Sequence, residues 1–142
     1  MQRLMLPFDG SENALRAVRH AIGLAKSNPP VSVHLLHAHE PPLLYGEVAV
    51  YVDAAKLAEL QRREGLALLA AAEAVLRDTG VEFSSESLVG PVAETIVRRA
   101  EELGCAAIVM GTRGMGAIGT LLLGSVANKV VHLTRLPVTL VK

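Results

Sequence analysis

The 142-residue sequence has one cysteine and no tryptophan, and only 3% of its residues are aromatic. A lone cysteine, Cys105, forms no disulfide within the chain, which fits a reducing compartment and does not suggest secretion. Because aromatic side chains are scarce, the core must be built from Leu, Val, Ile and Ala. The 14 basic residues balance the 14 acidic ones, so no overall field attracts a polyanion, and we expect neither nucleic acid nor a membrane as a partner.

Segments that would direct the chain to a membrane or out of the cell are also missing. No uninterrupted apolar run reaches the roughly 20 residues needed to cross a bilayer. The first residues lead into a strand-like run without the features of a signal peptide, so we expect a soluble cytoplasmic protein. No internal repeat or low-complexity stretch divides the sequence, and 142 residues fit a single domain over residues 1–142.

Hydrophobic periodicity predicts alternating strands and helices. We expect strands at 3–8, 31–39, 81–89, 105–110 and 137–141, and helices at about 12–25, 53–78, 91–103 and 125–133. Helices of this length between strands predict a doubly wound α/β sheet of parallel strands. The alternation of apolar and polar residues in 81–89 is typical of a strand at a sheet edge, whereas 42–52 has no clear period and could be a flap.

The start of the first helix carries capping signals, and the second helix carries an apolar stripe. Asp9 and Ser11 are expected to cap the first helix, with Glu12 placed as in a capping box. For the helix at 53–78, the periodicity predicts that one side faces the core: Leu57, Leu60, Leu68, Leu69, Ala72 and Val75.

Residues 110–130 read MGTRGMGAIGTLLLGSVANKV and contain the pattern G-x2-G-x9-G-S, formed by Gly111, Gly114, Gly124 and Ser125. Glycines let the backbone take positive φ and approach a ligand closely. The free N–H groups at the start of the following helix, together with its dipole, attract phosphate. The pattern thus favours a nucleotide phosphate site, and the alternative is a glycine-rich loop that only turns the chain.

The predicted fold places this loop where a ligand site is expected. Ligands of doubly wound sheets bind beyond the carboxyl ends of the strands, where segments 7–10, 37–39 and 110–114 would meet. The turn after the first strand, DGSENAL, carries neither a P-loop nor a dinucleotide-binding glycine pattern. The third strand ends in Leu88-Val89-Gly90 and lacks the aspartate of a phospho-receiver.

Four short motifs carry a resemblance to a known family: PFDGSE at 7–12, LLHAHEP at 35–41, MGTRG at 110–114 and GSVANKV at 124–130. With them, the whole chain resembles a universal stress protein of the ATP-binding type. The resemblance implies a five-stranded parallel sheet of order 3-2-1-4-5, of the adenine nucleotide alpha hydrolase-like kind. It also implies a homodimer built partly on the last strand, and a cleft for ATP with Mg²⁺ or Mn²⁺.

Carried over residue by residue, the resemblance assigns the cleft. Asp9 is expected to meet the ribose or the metal ion through its carboxylate. The alternative is a helix-capping aspartate, and a residue at the end of the first strand can do both. Phe8 is bulkier than the residue usual in the family and is expected to narrow the cleft. The nucleotide-binding residues implied are Pro7, Phe8 and Asp9 at the nucleoside, the main chain of Ala38 at the adenine edge, Met110, Gly111, Arg113 and Gly114 along the ribose and phosphates, and Gly124, Ser125 and Val126 at the polyphosphate.

Three functions stay open from the sequence. The first is a nucleotide-dependent regulatory or stress-response module, the second a slow ATPase, and the third a dimeric interaction protein without nucleotide. A metal site at His34, His37 and His39 is a weaker alternative. Apolar residues inside the glycine loop and on the last strand suggest packing over the cleft or against a second copy; they are Ile118, Leu121, Leu122 and Leu123, and Val138, Leu140 and Val141.

Overall fold

The computed structural model describes residues 1–27, 30–41, 46, 53–114 and 123–142. Apart from residue 46, the predicted flap at 42–52 lies outside the described residues, as do Ile118, Leu121 and Leu122. The elements in chain order are β1 (Gln2–Pro7), α1 (Glu12–Ser27), β2 (Val31–His39), α2 (Ala54–Leu76), β3 (Glu82–Val89), α3 (Val92–Glu102), β4 (Ala107–Gly111), α4 (Ser125–Leu133) and β5 (Val138–Val141).

The five strands form one parallel sheet in the order β3-β2-β1-β4-β5, which confirms the predicted fold. In the centre, Leu4 of β1 lies opposite Val33 of β2 on one side and Ala107 of β4 on the other. β3 and β5 form the two edges, as the alternation in β3 predicted. The predicted elements agree with the observed ones to within a few residues at each end; Cys105, for instance, precedes β4 instead of beginning it.

Two apolar layers cover the two faces of the sheet. Consecutive strand residues alternate between them, because side chains of a strand point to opposite faces. The first layer contains Leu4, Leu6, Phe8, Val33, Leu35 and Val109 with Ala14, Ala17, Val18, Ala21 and Ile22 of α1 and Leu69, Ala72 and Leu76 of α2. The second contains Met5, Leu36, Ile108 and Met110 with Ala93, Ile96, Val97 and Ala100 of α3, Cys105, and Ala127 and Val130 of α4.

The start of α1 is closed by its own side chains. Ser11 Oγ accepts the N–H of Ala14 at 3.1 Å, and Asp9 Oδ1 accepts the N–H of Ser11 at 2.9 Å. Both predicted capping residues are thus used, with Ser11 as the N-cap. The prediction of a capping box was wrong. Because the N-cap is Ser11, the position three residues after it is Ala14, and Glu12 lies in the first turn.

The predicted inner side of α2 is confirmed in part. Leu69 and Ala72 are buried as predicted, together with Gly65 and Leu76, and Val75 packs against the core. Leu60 and Leu68 were wrongly assigned to this side, since they are 52% and 41% exposed. A Cβ on Gly65 would overlap Ser87 Oγ and His37 Nδ1, so the glycine lets the helix approach β2 and β3 here. In the described part of the chain, none of the helices combines the length and apolarity needed to cross a bilayer.

A polar group between the second layer and β3 consists of His34, Ser84, Glu86 and Arg99, which we call the His34 network. His34 Nε2 lies 3.0 Å from Glu86 and Nδ1 lies 2.7 Å from Ser84 Oγ, and the Arg99 guanidinium bonds Glu86 at 2.5 and 3.3 Å. Burial lowers the pKa of His34, although Glu86 acts in the opposite direction. Burial would raise the pKa of Glu86, but hydrogen bonds from Arg99 and His34 hold it below its usual value. A neutral His34 donates to Glu86 and accepts from the Ser84 hydroxyl.

Candidate functional site

A cleft of about 360 Å³ opens at the carboxyl ends of β1 and β4, a size typical of small-molecule sites. Every residue assigned to the cleft from the sequence lines it. These are Pro7, Phe8, Asp9, Ala38, Met110, Gly111, Arg113, Gly114, Gly124, Ser125 and Val126. The structure thus brings the three separate segments together at the edge of the sheet where the fold predicted a site.

The floor of the cleft begins where β1 ends. The Phe8 N–H donates to the Leu36 carbonyl at 2.9 Å, which carries the pairing of β1 with β2 beyond Pro7. Phe8 is only 3% exposed and belongs to the first core layer while also lining the cleft. The Phe8 ring therefore packs in the core and also lines the cleft. That its bulk narrows the cleft stays a prediction. The Asp9 carboxylate lies at the mouth and is oriented by its bond to the Ser11 N–H.

The three glycines of the pattern are explained by close approach. A Cβ on Gly111 would overlap Asn13 Oδ1, and one on Gly114 would overlap Asp9 Oδ2. At Gly124 a Cβ would lie 3.2 Å from the Thr112 carbonyl oxygen. The expectation of positive φ at these positions was wrong, because the glycines with positive φ in the described chain are Gly10, Gly46, Gly80, Gly90 and Gly104.

The start of α4 lacks the closure seen in α1. Its N-cap is Gly124, with φ −69° and ψ 163°, and no side chain of the described residues caps it. The first bond back along the helix is from the Asn128 N–H to the Gly124 carbonyl at 3.0 Å. The N–H groups of Ser125, Val126 and Ala127 therefore have no acceptor within the helix, and all three residues line the cleft. These donors and the positive end of the helix dipole suit an anion.

The opposite side of the cleft is apolar. Ala38 and Met110, predicted from the sequence, lie there with residues that the sequence reasoning missed: Leu36, and Val92 and Ile96 of α3. Ala14 and Ala127, in the first turns of α1 and α4, also line the cleft and were missed. The signal that could have found Val92 and Ile96 is Gly90-Pro91, which starts α3 at the carboxyl edge and so brings its first two turns to the cleft. Thr112, buried between two glycines of the pattern, was also missed.

Among the described residues that line the cleft, two carry charge, Asp9 and Arg113. The Asp9 carboxylate is a hard oxygen ligand of the kind that Mg²⁺ prefers, and Mg²⁺ is usually held by one or two carboxylates and shared with substrate phosphates. Within the described residues, no group of three or more His, Cys, Asp or Glu side chains is arranged to hold a metal ion. The protein's contribution to such an ion would therefore come from Asp9.

The three histidines of β2 do not converge. His34 belongs to the His34 network, whereas His37 and His39 share the opposite face, with ring centroids 5.3 Å apart. Burial, and then the neighbouring His39, lowers the pKa of His37. Both ring nitrogens of His39 are buried without a hydrogen-bond partner in the described part of the chain. With His34 on one face of β2 and His37 and His39 on the other, the geometry does not favour the three-histidine metal site.

Comparison with known proteins gives a family match over the whole chain. The model of the universal stress protein family matches residues 1–142. A universal stress protein of Thermus aquaticus is 36% identical over 144 aligned residues, which cover 98% of this chain and 97% of the relative.

Solved structures match over the same length. The hypothetical protein MJ0577 is 28% identical with a TM-score of 0.85, covering 99% of this chain and 95% of the other. A universal stress protein in complex with cAMP is 25% identical with a TM-score of 0.74 over 99% and 97%. One from Archaeoglobus fulgidus in complex with dAMP is 26% identical with a TM-score of 0.68 over 100% and 98%.

Proposed function

The chain belongs to the universal stress protein family, and on that premise we propose that it binds ATP with Mg²⁺ or Mn²⁺ in the cleft and acts as a nucleotide-dependent regulatory module of the stress response. The observation that carries the proposal is the meeting of the uncapped start of α4 with the glycine loop in one cleft. Solved relatives in complex with cAMP and dAMP support an adenine nucleotide as the ligand.

The polyphosphate is proposed to lie between the glycine loop and the start of α4. The N–H groups of Ser125, Val126 and Ala127 supply donors, and the missing side chains of Gly114 and Gly124 leave the backbone accessible. Arg113 adds a charge-assisted donor for a phosphate oxygen. Since a phosphate satisfies donors that are otherwise unpaired within the helix, its binding at this end is favourable.

The nucleoside is proposed to lie on the apolar side. Leu36, Val92, Ile96 and Met110 offer surface to a flat base, and pockets for cofactors are mostly apolar with a few placed polar groups. The main chain of Ala38 is positioned at the end of β2 to pair with the base edge. Pro7 and Asp9 would then contact the sugar, and the Asp9 carboxylate would share the divalent ion with the phosphates.

Regulation by binding is favoured over catalytic turnover. A divalent ion, when bound, would neutralise charge on the phosphates, but hydrolysis also needs a group that orients or deprotonates water. Within the part of the cleft that the structure describes, Asp9 and Arg113 are the charged residues, and Asp9 is already assigned to the ion. A slow ATPase stays the second candidate, tested by phosphate release from bound ATP.

We also propose a homodimer that pairs two copies of β5. This strand is an edge of the sheet and bonds β4 on one side. Leu140 on it is 37% exposed, and an apolar edge strand favours association unless it is covered. Sedimentation should give twice the chain mass, and Leu140→Lys should give a monomer. A wild-type monomer at all accessible concentrations would contradict the dimer.

Two measurements test whether the protein binds ATP: the nucleotide content of the purified protein and a titration with ATP. The purified protein is denatured and the released nucleotide identified by chromatography, and stripped protein is then titrated with ATP and GTP in the presence of Mg²⁺. We expect released adenine nucleotide or micromolar binding of ATP, and weaker binding of GTP. No release together with no ATP binding would overturn the proposal and favour the nucleotide-free dimer.

A matched pair of glycine variants locates the site in the same titration. Gly114→Ala places a Cβ against Asp9 Oδ2, whereas Gly23→Ala adds one on the exposed side of α1 where nothing lies within 4 Å. Since displacing one charged hydrogen-bonding group costs about 1.5–3 kcal/mol, Gly114→Ala should weaken ATP binding about tenfold or more. Gly23→Ala should leave it unchanged.

A further inference from the structure

Asn13 joins segments from opposite ends of the chain. This α1 residue is 7% exposed, and both ends of its side-chain amide are used. Oδ1 accepts the Arg113 N–H at 2.8 Å, and Nδ2 donates to the Val141 carbonyl at 2.9 Å. Because one partner is a donor and the other an acceptor, the orientation of the amide is determined.

The peptide group between Thr112 and Arg113 is held at both ends. Its N–H donates to Asn13, and its carbonyl, that of Thr112, accepts the Gly124 N–H at 2.6 Å. A peptide group moves as a plane, so two bonds on opposite sides fix its orientation. Through this one peptide group, α1 is connected to Gly124, the N-cap residue of α4.

The neighbouring glycine is matched to Asn13. A Cβ on Gly111 would overlap Oδ1 of Asn13 and come within 3.2 Å of its backbone carbon. Only a glycine therefore lets the end of β4 come close enough for Asn13 to reach Arg113. Asn13 thus explains why the first residue of the pattern is a glycine: a side chain at position 111 would overlap Asn13 whether or not a phosphate is bound.

The end of β5 belongs to the same set of contacts. The Val141 carbonyl accepts both from Asn13 and from the Thr112 N–H, the latter at 3.0 Å. Arg16, one turn further along α1, bonds the next carbonyl, Lys142, at 2.8 Å. Asn13 and Arg16 thus both connect α1 to the end of β5. Among the described residues of the glycine loop, Asn13 has a bonding partner, Arg113, and Arg16 has none.

We propose that Asn13 is a positioning residue for phosphate binding: by locking the Thr112–Arg113 peptide it holds the glycine loop against the start of α4. The inference rests on the proposed nucleotide function. Without the bond to Asn13, this peptide can rotate, the Gly124 N–H loses its acceptor, and the loop and the helix donors no longer face one ligand. The lock acts on the phosphate side of the cleft and not on the apolar side.

The first test compares ligands with and without phosphates. Asn13→Leu keeps the side-chain size and removes both bonds, and Arg16→Ala is the control that removes a bond to the end of β5 only. Equilibrium dialysis with labelled ATP and adenosine should show ATP binding weakened about tenfold or more by Asn13→Leu, since one hydrogen bond to a positioned group is worth about 1.4 kcal/mol or more. Adenosine binding should change less than threefold, and Arg16→Ala should change neither.

The second test does not need nucleotide. Amide hydrogen exchange of the nucleotide-free protein should become faster at Arg113 and Gly124 in Asn13→Leu, and stay as in the wild type in Arg16→Ala. Gly111→Ala, which pushes on Asn13 from the other side, should give the same pattern if Asn13→Leu does not fold.

The outcomes separate the two proposals. Failure of the wild type to bind ATP would overturn the nucleotide function, whatever the exchange shows. Wild-type binding with an equal loss of ATP and adenosine in Asn13→Leu, or with unchanged exchange at Gly124, would overturn the positioning role alone.

Discussion

Polar groups are paired within the chain in the His34 network, whereas the N–H groups at the start of α4 have no acceptor within the helix. In the network, the imidazole, the carboxylate and the guanidinium are bonded to one another within the chain. At the start of α4, three consecutive N–H groups have no acceptor within the helix, and glycines remove the nearby side chains. The comparison shows that the charged groups of the network are paired within the chain, whereas the N–H groups at the start of α4 are available to a ligand in the cleft.

Helix α1 begins at the same edge of the sheet as α4 but has a side-chain cap. Ser11 Oγ accepts the N–H of Ala14, and Asp9 Oδ1 accepts the N–H of Ser11. Capping by Ser or Asp is worth about 0.5–2 kcal/mol, and α4 forgoes it. The following predictions alter one region or the other, from the largest expected effect to the smallest.

The largest effect is expected from closing the start of α4. Gly124→Asp places a carboxylate where it accepts the first N–H groups of the helix and repels phosphate, so ATP binding should weaken by about a hundredfold or more, or 2.7 kcal/mol. Gly124→Asn is the control, because it has the same size without the charge and should weaken binding less. Isothermal titration with ATP and Mg²⁺ measures the affinity of both variants. If Gly124→Asp bound ATP as tightly as the wild type, the phosphates would not bind at this end of the helix.

Breaking the His34 network should reduce stability without affecting the ligand. Glu86→Gln leaves Arg99 and His34 without their carboxylate, and we expect the free energy of unfolding to fall by about 2 kcal/mol, between the values typical of exposed and buried pairs. The control is Glu59→Gln, the same change in an exposed pair with Arg62 and Arg63 on α2, which should have no measurable effect. Urea unfolding gives the stability; a large loss of ATP affinity in Glu86→Gln would show that the two regions are coupled.

Opening the start of α1 tests the cap that α4 lacks. Ser11→Ala removes the acceptor of the Ala14 N–H and should cost about 1 kcal/mol of stability, with ATP affinity unchanged within twofold. Ser27→Ala, at the exposed end of the same helix, should be neutral in both. Thermal unfolding with and without ATP measures the two quantities, and unchanged stability of Ser11→Ala would mean that water replaces the cap at no cost.

The smallest effect is a dependence of stability on pH. The folded-state pKa of His34 lies below its usual 6.5, so the unfolded chain binds more protons in this range and stability must fall as pH decreases below about 6.5. The pKa of Glu86 is lowered from 4.5, which removes further stability below that value. Urea unfolding between pH 5 and 8 should show this slope, reduced in His34→Gln and unchanged in His20→Gln, which alters an exposed histidine. A wild-type stability that rises with falling pH would contradict the burial of a neutral His34.

The sheet and most of the cleft follow from local sequence. Buried strands are apolar runs, helices are periodic, and the carboxyl edge is where their loops must meet, so segments 7–10, 37–39 and 110–114 could be brought together before any coordinates. The single nucleotide-binding residues, such as Ala38, and the order of strands came from the family resemblance, because periodicity alone does not say which strands are neighbours.

Contacts between distant segments could not be predicted. The bond from Asn13 to Arg113 spans 100 positions, so nothing near Gly111 in the sequence indicates why a side chain is forbidden there. Gly65 likewise lies on the buried side of α2, where a Cβ would overlap His37 and Ser87, whereas the leucine pattern placed the exposed Leu60 and Leu68 on that side. In both cases a neighbouring segment lies so close to the backbone that no side chain fits. The hydrophobic periodicity of the sequence does not indicate such close contacts.

The most direct test of the phosphate site is the response of single amides to the ligand. In a titration of ¹⁵N-labelled protein with ATP and Mg²⁺ followed by NMR, the N–H signals of Ser125, Val126 and Ala127 should show the largest shifts. The N–H of Gly23, on the exposed side of α1 and outside the cleft lining, should stay nearly unmoved. ATP binding that leaves the three α4 amides unshifted, or that moves Gly23 as much, would contradict the conclusion that the uncapped start of α4 holds the phosphates.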